Sequence, residues 1–325
     1  VQDIFFQGVT APLRLDGADA ILPLLADVAA GWPFRVAAVE PSASPFFSIR
    51  AVPADGRLHC ESHVEERPAQ LWDPLNALCD ALASLAIALP MSDPRLICLH
   101  AAGVEFAGRL IVFPNVRRAG KSTLSAALAQ AGHRVFSDDV VPLTCPAQGQ
   151  AAALATGLAL RLRLPLPESL PEGFRAWAAG VAGPRNRQYH YLCLDGQPSQ
   201  GETGTLGAFV LLDRREEPGP AWIEPVPPDA AMDALLHQNF TRDRHSGEVL
   251  EALASILERT PVFRLGYSAL DEAVACLKAR FADWPEPAAT LGEDRRFAPP
   301  RFGDRPAWPG GAVSQRGGVV ARSIG

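Results

Sequence analysis

Hydrophobic residues along this chain follow two patterns: short unbroken runs, and longer stretches in which they return every three or four positions. The first suits a strand buried on both faces, the second a helix that buries one side. Residues 110–113 and 207–212 are apolar runs, and 262–265, 133–136 and 157–164 also read as strands, the last one arginine-bearing. Helical spacing predicts helices over 19–30, 73–89, 230–240, 247–259 and 269–281, and another from Ser122 to just before Gly132. Leu75, Leu78, Leu82 and Leu85 share one side of the second of these, which is expected to end at Pro90. Residues 45–52 and 58–62, joined through Ala54, Asp55 and Gly56, read as a hairpin. The order of elements predicts a small α+β module over 1–90 and an α/β unit over 91–284. Beyond Pro285 the chain turns to Pro, Gly and Arg with little periodicity, so 285–325 is expected to be a tail or an arm laid on another surface.

The run Leu110-Ile111-Val112-Phe113 stops at Pro114, which has no N–H for a sheet ladder, so the chain is expected to turn there. The next residues are Asn115, Val116, Arg117, Arg118, Ala119, Gly120, Lys121, Ser122 and Thr123. They match the phosphate-binding template G-x-x-x-x-G-K-[ST] except that Asn115 stands at the first glycine. In a strand–loop–helix setting, loop N–H groups and the helix N-terminus attract phosphate oxygens, Lys121 reaches the β- and γ-phosphates, and Ser122 offers a hydroxyl to Mg²⁺. Asn adopts positive φ more readily than other side-chain-bearing residues, so Asn115 is expected to preserve the loop's shape in that way. Arg117 and Arg118 either touch phosphates or are simply solvated. The alternative for the whole loop is an ordinary helix start.

Asp138 and Asp139 follow the strand 133–136, at the end that faces the ligand crevice if the sheet is parallel. Beside a triphosphate, one carboxylate can hold the Mg²⁺ shell and the other can accept the proton of an attacking hydroxyl. Their mutual repulsion would raise one pKa and favour that carboxylate for the base role. Away from a nucleotide the same pair would be a solvated turn. Arg161, Arg163, Arg185 and Arg187 are further candidates to clamp a phosphate or carboxylate, against a default of solvated surface arginines.

With these residues in order, the chain resembles the HPr kinase/phosphorylase family and its relatives, whose core is similar to that of ATP-dependent phosphoenolpyruvate carboxykinase. The resemblance rests on Leu99-His100-Ala101-Ala102-Gly103 before the nucleotide strand, then Gly120-Lys121-Ser122, then Asp138-Asp139. It spans roughly residues 96 to 280 in order of elements and 99 to 143 in motif. It implies an α/β P-loop kinase core behind the small N-terminal α+β module, with ATP and Mg²⁺ as cofactors. It also implies Ser122 and Asp138 as metal ligands, Lys121 on the phosphates, Asp138 or Asp139 as general base, and His100 assisting phosphate or proton handling. Read without the resemblance, His100 is first of all a core histidine with satisfied ring nitrogens; the resemblance brings the two readings level. Two departures stand out: Asn115 at the first glycine and Thr123 where the family has Glu. The family's HPr-binding region has no counterpart in 157–164, so the resemblance does not extend to HPr as substrate.

Composition narrows the picture further. The chain has 325 residues, 48% hydrophobic and 20% charged, which fits a folded enzyme with a sizeable core. A net charge of −6 without a Lys/Arg block argues against a nucleic-acid surface. Cys60, Cys79, Cys98, Cys145, Cys193 and Cys276 are scattered without metal-ligand spacing and read as free thiols of a reducing compartment. No membrane span or signal peptide is recognised, so a cytoplasmic protein is expected. No internal repeat is found, and the resemblance implies a homo-oligomer. The expected activity is transfer of the γ-phosphoryl of ATP to a hydroxyl, foremost serine of a protein or peptide. The alternatives are a small-molecule kinase, acting for example on free serine, and a nucleotide-binding regulatory or assembly protein without turnover.

Overall fold

The structure, a computed structural model, describes residues 1–40, 42–52, 56–116, 118–144, 150–241 and 244–284. Its first 92 residues give β1 (Gln2–Phe6), β2 (Leu13–Asp16), α1 (Ile21–Val28), β3 (Phe34–Ala38), β4 (Phe47–Ala51), β5 (Leu58–Ser62), β6 (Gln70–Trp72) and α2 (Pro74–Ser92). The expected hairpin is β4–β5, antiparallel from Phe47↔Ser62 to Ala51↔Leu58. Ala54 and Asp55 of its turn lie outside the described residues. The hairpin is part of a six-stranded sheet ordered β3-β1-β2-β4-β5-β6, larger than the pattern foretold. Asp3 is fully buried on β1 and is held by Arg14 of β2 through two hydrogen bonds of 2.8 and 2.9 Å. A polar residue in a buried strand position hides the strand from a hydrophobicity reading, and the ion pair is what permits it.

α2 begins where its chemistry says it should: the Asp73 carboxylate accepts the N–H groups of Leu75 and Asn76, and Pro74 occupies the first helical position. It does not end at Pro90 but continues to Ser92. The proline lies in the last turn, where a missing N–H costs one bond, and the Ser92 hydroxyl donates to the Ala88 carbonyl at 2.8 Å. α2 is long and apolar enough to cross a membrane by length and composition, but 72% of that stretch is buried inside the protein. It spans the boundary expected at residue 90 and shares a core with α1, the first sheet, Leu154, Ala159 and Tyr191.

The remaining elements are β7 (Leu96–Leu99), β8 (Ala101–Phe106), β9 (Arg109–Pro114), α3 (Lys121–Gln130), β10 (Val135–Ser137), β11 (Val141–Thr144), β12 (Ala152–Leu154), β13 (Leu160–Arg163) and α4 (Glu172–Gly180), followed by β14 (Tyr189–Leu192), β15 (Thr203–Arg214), β16 (Trp222–Pro225), α5 (Pro228–Gln238), α6 (Ser246–Leu257), β17 (Val262–Tyr267) and α7 (Leu270–Phe281). Nine strands form a mixed sheet. β9, β15 and β17 are parallel neighbours, and the other pairs are antiparallel. β13 and β14 form a separate pair. α3, α4 and α7 cover one face of the large sheet and α5 and α6 the other, each with its own apolar core. Residues 285–325 lie outside the described residues.

Two expectations need correction. Pro114 does not stop the sheet one residue early: it is the last residue of β9, opposite Ala101. β10 is not in a parallel stretch but pairs antiparallel with β8, at the sheet's edge. The expected convergence survives for a simple reason. β8 is antiparallel to both β9 and β10, so those two run in the same direction and end together. The loop after β9, the Asp pair after β10 and His100 just before β8 therefore meet at one end of three adjacent strands.

Candidate active site

The loop after β9 is fixed by Asn115. Its side-chain amide donates to the Leu212 carbonyl at 3.0 Å, and its carbonyl accepts the Leu212 N–H at 2.7 Å. The residue latches the loop onto β15 with a rung that imitates backbone pairing. It does not adopt positive φ. Among the described non-glycine residues only Ala107 and Arg118 do, so the strained turn falls at Arg118 (φ 69°) and at Gly120 (φ 93°). A side chain on Gly120 would also meet the Tyr267 hydroxyl at 3.0 Å. Arg118 and Val116 are exposed, Ala119 and Thr123 are half-buried, and Arg117 lies outside the described residues.

Lys121 opens α3 and is 6% exposed. Its ammonium donates to the Asn115 carbonyl at 2.5 Å and to the Val116 carbonyl at 3.1 Å, so it is folded over the concave side of its own loop. Ser122, one residue on, lies near Asp138, and its hydroxyl favours the ionised carboxylate. Asp138 is buried at 8% exposure, and its Oδ2 accepts the Arg161 N–H at 2.9 Å. Burial pushes its carboxyl up to about 6, helped by the charge of Asp139; Arg161 and the hydrogen bonds from its N–H and from Ser122 pull the other way without winning.

Asp139 has the opposite fate. Its side chain is 40% exposed, with Oδ1 3.3 Å from His100 Nε2 and Oδ2 3.1 Å from Arg161 Nη2. Burial would raise it, but the hydrogen bond from His100 and the charge of Arg161, with smaller help from Lys121, hold it well below the usual carboxylate range. His100 itself is held in place by its N–H, which donates to the Gln238 carbonyl, while the next N–H, that of Ala101, reaches the Asp139 carbonyl at 3.2 Å.

Of the four candidate arginines, one belongs here. Arg161 donates to Asp139, places Nη1 2.6 Å from the buried Cys79 thiol on α2, and lies over the Tyr189 ring. Arg163 lies over the same ring but is exposed, and Arg185 and Arg187 are exposed loop residues that do not join the carboxylates. Cys79, Tyr189, Tyr191 and Tyr267 are neighbours that the sequence reading missed. Two of the tyrosines carried a signal: two-residue alternation in β13 and β14 puts Arg161 opposite Tyr191 and Arg163 opposite Tyr189. Cys79 carried none, because only the packing of α2 brings it here.

The donors suit a small divalent cation that keeps waters and phosphate oxygens. Asp138 and Ser122 present one buried carboxylate and one hydroxyl near each other, and among the described residues no group of three His, Cys, Asp or Glu forms an all-protein cage. The raised pKa of Asp138 is that of a buried carboxyl with too little positive charge around it, a deficit a divalent ion would remove.

No family model matches this chain, and no curated protein matches it. Among solved structures, the HPr(Ser) kinase/phosphatase from Coxiella burnetii is similar to it at 13% identity and a TM-score of 0.27, over 56% of this chain and 95% of that one. At that score nothing about the present chain follows from the likeness.

Proposed function

We propose that this chain is a phosphotransferase that binds ATP with Mg²⁺ on residues 115–123 and passes the γ-phosphoryl group to a hydroxyl. The observation that carries this reading is that the loop ending in Lys121 and Ser122 at the start of α3 and the Asp pair after β10 lie together, in a cluster completed by His100 and Arg161. Loop, helix start, post-strand carboxylates and a histidine come from separate segments and meet at one strand end.

Each group has a task. The loop N–H groups and Lys121 bind and orient the phosphates, Lys121 exchanging its carbonyl partners for phosphate oxygens. Ser122 and Asp138 would hold Mg²⁺, which when bound neutralises phosphate charge. The acceptor oxygen forms a bond to the γ-phosphorus as the bond from that phosphorus to the β–γ bridging oxygen breaks. With the raised carboxyl of Asp138 assigned to the metal, the acceptor proton goes to the more exposed Asp139, which stays ionised at neutral pH and is steered by His100. Arg161 fixes both carboxylates, one through its backbone and one through its side chain.

A second reading, nucleotide binding without turnover, is favoured by one observation: Asp139 is already engaged by His100 and Arg161. Incubation with γ-labelled ATP, Mg²⁺ and extract from the source cells decides between them. Wild type is expected to label an acceptor, and Lys121→Ala and the double variant Asp138→Asn, Asp139→Asn are expected not to. Nucleotide binding with no transfer by wild type would leave the second reading.

A further inference from the structure

The carboxylates stand on one side of the phosphate loop, and a cation stands on the other. In the large sheet β9 has β8 and β10 on one side and β15 and β17 on the other, and β9, β15 and β17 run in the same direction. The rung from Asn115 to Leu212 sets the start of the loop level with Leu212. Arg214, the last residue of β15, lies two residues further on and so is level with the loop itself. Alternation along β15 decides its face: Ala208, Val210 and Leu212 pack into the core under α3, whereas Phe209 and Leu211 pack into the opposite core with α5 and α6. Arg214 continues the first series and shares the face of α3, whose N-terminus ends the loop. It is paired in register with Tyr267 of β17, which belongs to the same core. The Tyr267 hydroxyl lies 3.0 Å from where a side chain on Gly120 would begin. Burial pushes the Tyr267 phenol up and the charge of Arg214 pulls it back, so the guanidinium acts on a group that touches the loop. Arg214 is exposed, and among the described residues no carboxylate or carbonyl holds its guanidinium.

We propose that Arg214 binds the α-phosphate of the nucleotide and so fixes the nucleoside half of the ligand, while Lys121 and the carboxylates handle the reacting half. The proposal rests on the phosphotransferase reading above and adds a binding residue to that same site. The layout of the sheet sets the orientation. Ser122, Asp138 and Asp139 gather on the β10 side of the loop, so the metal and the transferred phosphoryl group belong there. A triphosphate laid across the loop then has its α-phosphate on the β15 side, where Arg214 stands. The chemistry agrees. A planar guanidinium matches the oxygens of a phosphate, and no ion pair has to break before Arg214 turns to one. On a chain of net charge −6 an anionic ligand also depends on such local cations. Arg163 makes the contrast: it is as exposed as Arg214, but it lies over the Tyr189 ring on β13 and belongs to neither flank of the loop.

The test is calorimetric titration of the full chain with ATP and with ADP, each with Mg²⁺, for wild type, Arg214→Gln, Arg214→Lys, Arg163→Gln and Lys121→Ala. Arg214→Gln is expected to weaken ATP and ADP by the same factor, at least fivefold, because both ligands carry the α-phosphate. Arg214→Lys, which keeps the charge, is expected to bind both within twofold of wild type, and so is Arg163→Gln. Binding of both nucleotides by Arg214→Gln within twofold of wild type, beside a loss in Lys121→Ala, overturns the proposal and leaves the phosphotransferase reading standing. A loss confined to ATP overturns it too, since it puts the guanidinium at the γ-phosphate. So does an equal loss in Arg163→Gln, which would make the effect one of overall charge, and so does an Arg214→Lys variant no better than Arg214→Gln. Absence of ATP binding by wild type overturns the proposal and the phosphotransferase reading together.

Discussion

The loop at residues 115–123 and the α2 wall approach the same two aspartates from opposite sides, and they are built from opposite materials. The loop side is polar and made largely of backbone: carbonyls that hold Lys121, an amide rung between Asn115 and Leu212, and the Ser122 hydroxyl near Asp138. The α2 side is side-chain surface, Leu82, Ala86 and Leu89 with Trp32, and its polar contact to the cluster runs from Cys79 to Arg161. Asp138 and Asp139 are neighbours in the chain, yet the first is driven up by burial and the second held down by its partners. The loop side offers fixed donors, the α2 side a shaped apolar wall, and the two aspartates are where these surfaces meet.

The largest expected effect lies on the loop side. On the phosphotransferase reading, Lys121→Ala removes the charge that would meet the β- and γ-phosphates, and transfer is expected to fall by about 10²-fold or more, read as labelled product per unit time. The Asn115 and Val116 carbonyls lose their ammonium partner as well, so a modest drop in melting temperature is expected beside the loss of transfer.

The hinge between the sides is open to pH. Asp138 titrates at about 6 in the folded chain against an ordinary value of 3.8, so between those values the folded state binds its proton more tightly than the unfolded state. Stability without ligand is therefore expected to fall as pH rises from about 4 to about 6, by about 3 kcal/mol in all, and to stay flat above that. Asp139, held low, acts in a different window: its contribution is present above about 4 and is lost as pH falls below that value. Urea unfolding of wild type and Asp138→Asn across this range checks the sign, since the asparagine variant should lose the decline between pH 4 and 6. A decline of equal size in the variant would break the assignment.

Asn115→Ala is next. It leaves the Leu212 N–H and carbonyl without their side-chain partner, an expected loss of about 1–3 kcal/mol by chemical denaturation, with weaker nucleotide binding. Asn115→Gly restores the template residue but not the rung, and should be no better than alanine. If glycine rescues binding, the residue's role is backbone conformation after all. The smallest effect belongs to the wall: Asp73→Ala removes the cap of α2 and is expected to cost about 1 kcal/mol in stability, with nucleotide affinity unchanged.

Much of this arrangement is written in the chain. The loop, α3 and the Asp pair lie within 30 residues, and each follows from local chemistry: a proline at a strand end, helix formers after Gly120, a glycine at φ 92° closing α3 at position 132. α5, α6, α7 and β17 were likewise visible through unbroken periodicity. What was hidden depends on partners distant in sequence. β1 and β2 carry a buried Asp3–Arg14 pair, and β3 is an edge strand with Val36 exposed, so neither shows a hydrophobic pattern. Residues 96–106 form one nearly apolar stretch that is two strands, β7 paired with β11 and β8 with β9 and β10, changing partners at His100. Asn115 fits the loop by a rung to a residue 97 positions away, which no reading of backbone propensity reveals.

The most direct measurement is calorimetric binding of ATP to wild type, Lys121→Ala and Asp138→Asn, each with and without Mg²⁺ at pH 7.5. Wild type is expected to bind more tightly with Mg²⁺, Lys121→Ala to lose binding in both conditions, and Asp138→Asn to keep metal-free binding while losing the Mg²⁺ enhancement. Equal binding by all three proteins, indifferent to Mg²⁺, would contradict a nucleotide site built on Lys121, Ser122 and Asp138.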